Sequence, residues 1–364
     1  METMLAPFVL GVGASVTILL GDIFYVSAEL IARGAMPARL VLEVLVYKLP
    51  AVFVVTLPVA TLLGTLLGLG RMSRDQEILA MRLAGMSLAR IMLPAVAFGL
   101  VTAGATFAID EGVAPWANHR ADTLVRRAAQ GGDVPQIREQ VFFHGPGNRV
   151  IYADKVDDGR HLLWNAMIFE FGGAVPRLIT ARTATWSTGA WALQDGVIRE
   201  FDSSGFTRDE ARFATMDIVT GAGEEALFTG QRTPEEMTAQ ELRRYLALFR
   251  STAAGGAMAL EYYRKFAVPC ANVAFALLAA VLGVRATHRE QFAGVGLSVA
   301  LLFVYYAAAA MARALAGIGA VSPLVGAWGP NALFMLGAAA LVVRGERWWR
   351  RIQVPSLRAG VHAP

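Results

Sequence analysis

Six long apolar stretches dominate the pattern of this chain, three before a polar gap and three after it. The first set covers 5–31, 40–70 and 88–109, and the second covers 262–284, 292–316 and 328–343. A helix needs ~20 apolar residues to cross a bilayer, so each stretch qualifies, with 328–343 near the lower limit. The pattern predicts an α-helical membrane protein with six transmembrane helices in a three-plus-three arrangement.

The gap between the two sets has a different period. Apolar, β-branched and aromatic runs at 141–144, 149–156, 162–171, 177–186, 191–201 and 211–219 are punctuated by turn residues such as Gly145-Pro146-Gly147-Asn148 and Asp157-Asp158-Gly159. Runs of this kind without intervening helices predict an inserted all-β domain, a sandwich or jelly roll. The run 191–201 is interrupted by Asp195-Gly196. A helix over 234–250 follows: Thr233 suits its cap, Pro234 its first position and Glu236 the far side of a capping box. Leu242, Tyr245, Leu246 and Phe249 form its apolar stripe, expected to lie on the sheet. Three domains follow: 1–110 with the first three spans and a short helix at 73–85, 111–258 as the β insert, and 259–364 with the last three spans and a basic tail.

Composition sharpens this picture. Of 364 residues 55% are hydrophobic and 17% charged, whereas soluble domains are near a quarter charged. The net charge of +4 does not indicate nucleic acid, because the basic residues are placed by topology. Segments 70–90 and 285–291 and the tail after Val343 hold eleven Lys and Arg; the loops 32–39 and 317–327 hold two, Arg33 and Arg39. Basic residues collect on the cytoplasmic side, so both termini are expected inside and 111–258 outside, in the periplasm of a cell with two membranes. Val26-Ser27-Ala28 imitates a signal-cleavage site, but the start lacks a basic residue and the run 5–21 is too long for a signal. The first stretch therefore reads as a retained span, and the missing basic start suggests a true start upstream of Met1.

Two patterns carry candidate chemistry. In the loop Arg71-Met72-Ser73-Arg74-Asp75-Gln76-Glu77-Ile78-Leu79-Ala80-Met81-Arg82-Leu83-Ala84-Gly85, Ser73 and Gln76 form a capping box and Gly85 suits a helix stop. The result is an amphipathic helix of roughly three turns. Arg74, Asp75, Glu77, Ile78, Met81, Arg82 and Gly85 are its candidate contacts, with Arg74 placed to pair with Glu77. Docking into a partner's groove and lying on the lipid surface both fit. The second pattern is the set of ionisable residues inside spans: Asp22, Glu29, Lys48 and Arg313. Such residues face cavities or one another, or snorkel to the interface.

Enzyme signatures are missing. The chain has no G-x-x-x-x-G-K-[ST] loop and therefore no ATP site of that kind. Its five histidines lack metal-ligand spacing, and Cys270 is its only cysteine. The acids Asp154, Asp157, Asp158 and Glu170 read as solvated, and Gly64-x-x-x-Gly68 reads as close helix packing. Two competing classes are another lipid or lipoprotein exporter permease, and a membrane-anchored periplasmic enzyme with its active domain at 111–258. The first would lack the strand spacing and the Glu77-centred loop, and the second needs a clustered catalytic set.

Several segments together resemble the LptF/LptG permeases of the lipopolysaccharide exporter. They are Pro58 with Leu63-Gly64 and Gly68, and the loop Arg71…Ser73…Glu77-Ile78…Ala80…Arg82…Ala84-Gly85. In the insert they are Ile151-Tyr152-Ala153-Asp154-Lys155-Val156, Ile179-Thr180-Ala181 and Trp191-Ala192-Leu193-Gln194-Asp195-Gly196. Glu236-Met237-Thr238…Glu241-Leu242, Lys265-Phe266-Ala267-Val268-Pro269, Tyr305-Tyr306, Pro323 and Trp328-Gly329-Pro330-Asn331 complete the set. The resemblance implies a non-catalytic half-transporter that extracts lipopolysaccharide or a related glycolipid from the inner membrane. It implies pairing with a second LptF/LptG-type permease and with a dimer of the LptB-type ATPase, which would bind the ATP and Mg, leaving this chain without a cofactor. The 73–85 helix would be the coupling helix, and the jelly roll would pass lipid to LptC/LptA-type proteins. Lipid would enter between span one of one permease and span five of the other, past Asp22, Glu29, Arg33, Arg39, Tyr305 and Arg313. The basic cluster outside span one is thin, only Arg33 and Arg39, which leans toward an LptF-type subunit.

Overall fold

A computed structural model describes residues 2–32, 37–129, 141–145, 149–153, 155–157, 162–170, 177–187, 190–201, 207–219, 232–249, 253–285 and 293–358. Arg33, Asp154 and Asp158 lie outside them, and the side chains of Asp22 and Glu29 are not among those described. The helices are α1 (Glu2–Ala32), α2 (Ala38–Arg74), α3 (Glu77–Leu83), α4 (Leu88–Gly112), α5 (Ala114–Ala129), α6 (Ala239–Phe249), α7 (Ala253–Gly283), α8 (Ala293–Gly317) and α9 (Pro323–Arg358). Six of them, α1, α2, α4, α7, α8 and α9, are long and apolar enough to cross a membrane. The sixth is not short. It begins at Pro323, where Ser322 accepts the Val325 N–H at 3.4 Å. Proline belongs at a first helical position, so the Ser-Pro pair opens the helix five residues before Trp328.

The chain divides into two compact units, 1–26 with 48–114 and 259–364, and 27–47 with 115–258. In the first unit the core runs along the middle helices. Leu62 and Leu66 of α2, Phe275 and Leu278 of α7, Tyr305 of α8 and Phe334 of α9 form one cluster. Met4, Leu69, Ile78, Leu88, Ile91, Met92, Ala280 and Val281 form another, at the α3 end. The Gly64–Gly68 spacing lets α1 approach α2 closely: a Cβ at Gly64 would meet the Met4 carbonyl oxygen at 2.9 Å and one at Gly68 would meet Met4 Cγ at 2.8 Å.

The second unit holds an antiparallel sheet of β1 (Val141–Gly145), β2 (Arg149–Ala153), β3 (Lys155–Asp157), β4 (Leu162–Glu170), β5 (Arg177–Ser187), β6 (Ala190–Phe201) and β7 (Thr207–Val219). Its order is β1-β2-β4-β5-β6-β7, with β3 beside β4. The described strands make one meandering sheet. Asp195-Gly196 does not break β6; Asp195 instead takes a left-handed φ of 51° within it, as Asn165 does in β4 at 53°. The ladders skip Asn165, Arg182, Asp195 and Ala214 on four successive strands. Every strand changes phase on the same line, so Leu163, Ala184, Leu193 and Ile218 on one side of it and Ile168, Ile179 and Ala181 on the other all join one apolar face. The pairing register is the same on both sides of this line. Across the other face, Phe142 meets Tyr152 and Tyr245 of α6 with ring centroids 4.7 and 5.3 Å apart, as the stripe on that helix predicts.

Two local readings need correction. The stretch 234–250 is not one helix: Pro234–Glu236 form a single 3-10 turn, Met237 is extended, and α6 starts at Ala239. Residues 114–129, read as part of a β insert, form α5, whose Ala121 packs with Val41 and Val44 of α2. Its alanine-rich inner face lacks the large apolar residues that make a helical stripe visible in sequence.

Candidate functional site

The loop between spans two and three is shorter as a helix than its pattern suggests. α2 continues to Arg74, Gln76 adopts a left-handed φ of 63°, and α3 has seven residues with no side-chain cap at its start. Ser73 is therefore not an N-cap; its hydroxyl donates to the Val284 carbonyl of the segment after α7 at 3.1 Å. The stop is as predicted. Gly85 has φ +87°, its N–H donates to Arg82 O at 3.0 Å, and the Met86 N–H donates to Met81 O at 3.0 Å, which together make a Schellman motif. Arg71 pairs with Asp75 at 3.8 Å, where the sequence suggested Arg74 with Glu77.

Burial sorts the candidate contacts. Ile78 is 3% exposed and half-buried Met81 packs against the same cluster, so both anchor α3 to its own chain. Asp75, Glu77 and Gly85 are exposed, while Arg74 and Arg82 are half-buried. Leu79 and Leu83, one helical turn apart, are exposed apolar residues, Leu83 at 80%. The apolar contact pair that faces outward is thus Leu79 and Leu83, which the spacing alone did not separate from Ile78.

The lipid-path candidates are distributed unevenly. Tyr305 is buried: its hydroxyl donates to Asn331 Oδ1 at 2.8 Å, and the Asn331 amide donates to Ala267 O at 2.6 Å. Phe275 and Phe334 close around its ring, so it ties three helices together and does not line a surface. Its neighbour Tyr306 is 40% exposed and donates to Val55 O at 3.3 Å. Arg313 is exposed on α8, and Arg39 pairs with Glu43 at 3.6 Å. The first and fifth spans are the least covered, with 11% of each buried against 72% of the second and 67% of the fourth. Phe303 and Met311 on α8 and Leu10 and Ile18 on α1 are among their bare side chains.

A polar seam escaped the sequence reading. Asn272 of α7 is fully buried; its Oδ1 accepts from the Thr61 hydroxyl of α2 at 2.9 Å, and its Nδ2 donates to Thr106 Oγ1 of α4 at 3.0 Å. Thr61 and Thr102 oxygens lie 3.1 Å apart. At the insert end of the same helices, Lys265 donates to the Asp110 carbonyl at 3.2 Å and to its carboxylate at 3.4 Å. Thr102, Thr106 and Asp110 recur every fourth residue in an otherwise apolar span, which is the only signal the sequence offered. Among the described residues no group of His, Cys, Asp and Glu is placed to hold a metal.

Residues 1–344 match the model of the family described as lipopolysaccharide export system permease LptF/LptG. The chain is 25% identical over 296 residues to the lipopolysaccharide export system permease protein LptG of Escherichia coli K12, covering 79% of this chain and 81% of that one. It is 26% identical over 150 residues to the corresponding LptF of the same strain, 41% of each chain, and to that of Shigella flexneri over the same length.

Proposed function

The chain belongs to the LptF/LptG family of lipopolysaccharide export system permeases, and from that premise we propose how its parts divide the work. It sits in the inner membrane with both termini cytoplasmic and the second unit in the periplasm. A second LptF/LptG-type permease covers its bare first and fifth spans, and a separate ATPase supplies the energy. Relatives of both types carry the export name, which fits a pair of unlike subunits. The longer match to LptG weighs toward that type and against the LptF lean drawn from the thin basic cluster.

The observation that carries this reading is the split of α3 into an anchored and an exposed face. Ile78 and Met81 hold it to the bundle, so force applied to Leu79, Leu83, Asp75 and Glu77 reaches the spans without loss in a loose loop. A short helix with two exposed leucines flanked by acids suits a groove with an apolar floor and a basic rim. In the periplasmic unit, the single apolar face of the antiparallel sheet supports a jelly-roll-like fold, which would shelter acyl chains on their way to LptC/LptA-type proteins. Entry of the glycolipid beside spans one and five is supported by their exposure and by Arg313 on span five, whose charge suits lipid phosphates, as does that of Arg33 and Arg39, which follow span one in sequence.

Replacing the outward leucine tests the docking. Leu83→Asp should cut co-purification of the ATPase by about tenfold or more, since a buried anchor of this kind contributes ~2 kcal/mol. Membrane insertion and pairing with the second permease should not change. Retention of the ATPase at the unaltered level would reduce α3 to a connector.

A further inference from the structure

The polar seam joins three of the spans along their length, and its arrangement is directional. Starting from α3, Ser73 is bonded to Val284, and Ile78 packs among Ala280, Val281, Ile91 and Met92. Further along, a Cβ on Gly99 of α4 would meet the Ala276 Cβ of α7 at 2.6 Å. Then come the Thr106–Asn272 bond and, last, the Lys265–Asp110 contact. Residues 272 and 265 are seven apart and residues 106 and 110 four apart, so each pair shares one helix face. α4 and α7 are thus fastened from the α3 end to the insert end.

The terminal contact is strong for chemical reasons. Lys265 is 6% exposed, and its ammonium meets both a carboxylate and a carbonyl in the last turn of α4, where the helix dipole presents negative charge. A buried lysine needs such compensation, and leaving either partner alone would strand a desolvated charge. Pro269, four residues on, has no N–H for the Lys265 carbonyl, so α7 lacks a backbone bond at this level. The side-chain clasp holds the helix where its own ladder is interrupted. Asp110 lies four residues before Ala114 and Lys265 six after Ala259, where the chain leaves the first unit for residues 115–258 and rejoins it.

We propose that α4 and α7 act as one strut carrying movement of α3 to the two roots of the insert, and that the Lys265–Asp110 clasp is the positioning contact at its far end. This role rests on the exporter reading above. Spans one and five take no part in the seam's hydrogen bonds. Breaking the clasp therefore uncouples lipid movement from ATP hydrolysis while leaving both the ATPase and the assembly in place.

The test uses the full chain with its partner permease and ATPase, reconstituted in vesicles of phosphatidylethanolamine and phosphatidylglycerol loaded with lipopolysaccharide. Lipid released per ATP hydrolysed is compared for Lys265→Met, Asp110→Asn and Lys265→Arg, with the yield of assembled complex measured by size exclusion. The expected result is a fall of about tenfold in lipid per ATP for Lys265→Met. Asp110→Asn, which keeps the carbonyl contact, should fall less, and Lys265→Arg should stay within about twofold of the unaltered protein. ATPase rate and complex yield should hold for all three. An unchanged ratio in Lys265→Met, or a complex yield that falls in step with transport, would overturn the clasp. Failure of the unaltered complex to move lipid would overturn the exporter reading beneath it.

Discussion

Tyr305 and Tyr306 are neighbours in sequence with opposite surroundings. Nothing in the pair of letters separates them, because which one faces inward depends on the rotation of α8 against α7 and α9. The structure turns Tyr305 into an aromatic cluster where its hydroxyl satisfies Asn331. Tyr305→Phe would leave the Asn331 oxygen buried without its donor, at a cost of about 1–3 kcal/mol. Tyr306→Phe, at a half-open site, should cost less. Thermal unfolding of the two purified variants checks this, and an equal drop in midpoint would contradict it. The same limit hid the seam. Asparagine and threonine inside spans are visible in sequence, but their pairing across helices is not, since it depends on packing that no single helix encodes.

Among the elements, α6 shows how a correct rule was applied one turn too early. Thr233-x-x-Glu236 and Thr238-x-x-Glu241 are both capping-box sequences. The second one forms: the Glu241 N–H donates to Thr238 Oγ1 at 3.2 Å and the Thr238 N–H donates to Glu241 Oε2 at 2.9 Å. The first does not: the Glu236 carboxylate divides between His119 at 3.1 Å and the Thr233 hydroxyl at 3.1 Å, and Met237, out of phase with the stripe at Leu242, is buried in an extended residue. Thr238→Ala should therefore destabilise the second unit by about 0.5–2 kcal/mol, and Thr233→Ala, which removes a donor from the buried Glu236 carboxylate, by about 1–3 kcal/mol. Burial alone would raise the Glu241 carboxyl, but hydrogen bonds from Thr238 and the Arg232 guanidinium outweigh it and hold it below its ordinary value of 4.5. A depressed carboxylate contributes stability above its unfolded-state value and loses it as pH falls through the folded-state value. Glu241→Gln should lower the unfolding midpoint at about pH 7 and by less at about pH 3. A deficit that stays constant over that range would contradict the assignment. By contrast most strands were legible from alternation and turn residues, although β7 begins at Thr207, four residues before the run 211–219, and the run 149–156 is two strands; the change of phase was not legible, because left-handed Asn165 and Asp195 are ordinary letters in sequence.

At the scale of the whole molecule, the six spans could be read from apolar length alone. Arginine placement predicts their facing direction. The partner-facing surfaces could not be read, since every span is apolar on all sides and only packing shows that the first and fifth lack cover. Orientation is checked with an impermeant thiol reagent on intact inner-membrane vesicles of known sidedness, using Arg90→Cys beside α4 and Arg208→Cys on β7, both exposed. Arg208→Cys should label only from the periplasmic side and Arg90→Cys only from the cytoplasmic side; the reverse would invert the topology. The central claim, that this permease moves a glycolipid out of the membrane at the expense of a partner's ATP, is tested most directly by transfer itself. Vesicles carrying the chain, its partner permease and the ATPase, loaded with lipopolysaccharide, are mixed with a soluble periplasmic acceptor bearing a photocrosslinker. The account predicts acceptor–lipid adducts that accumulate with ATP and vanish when this chain is omitted; ATP hydrolysis without adducts, or adducts that form equally without the chain, would contradict it.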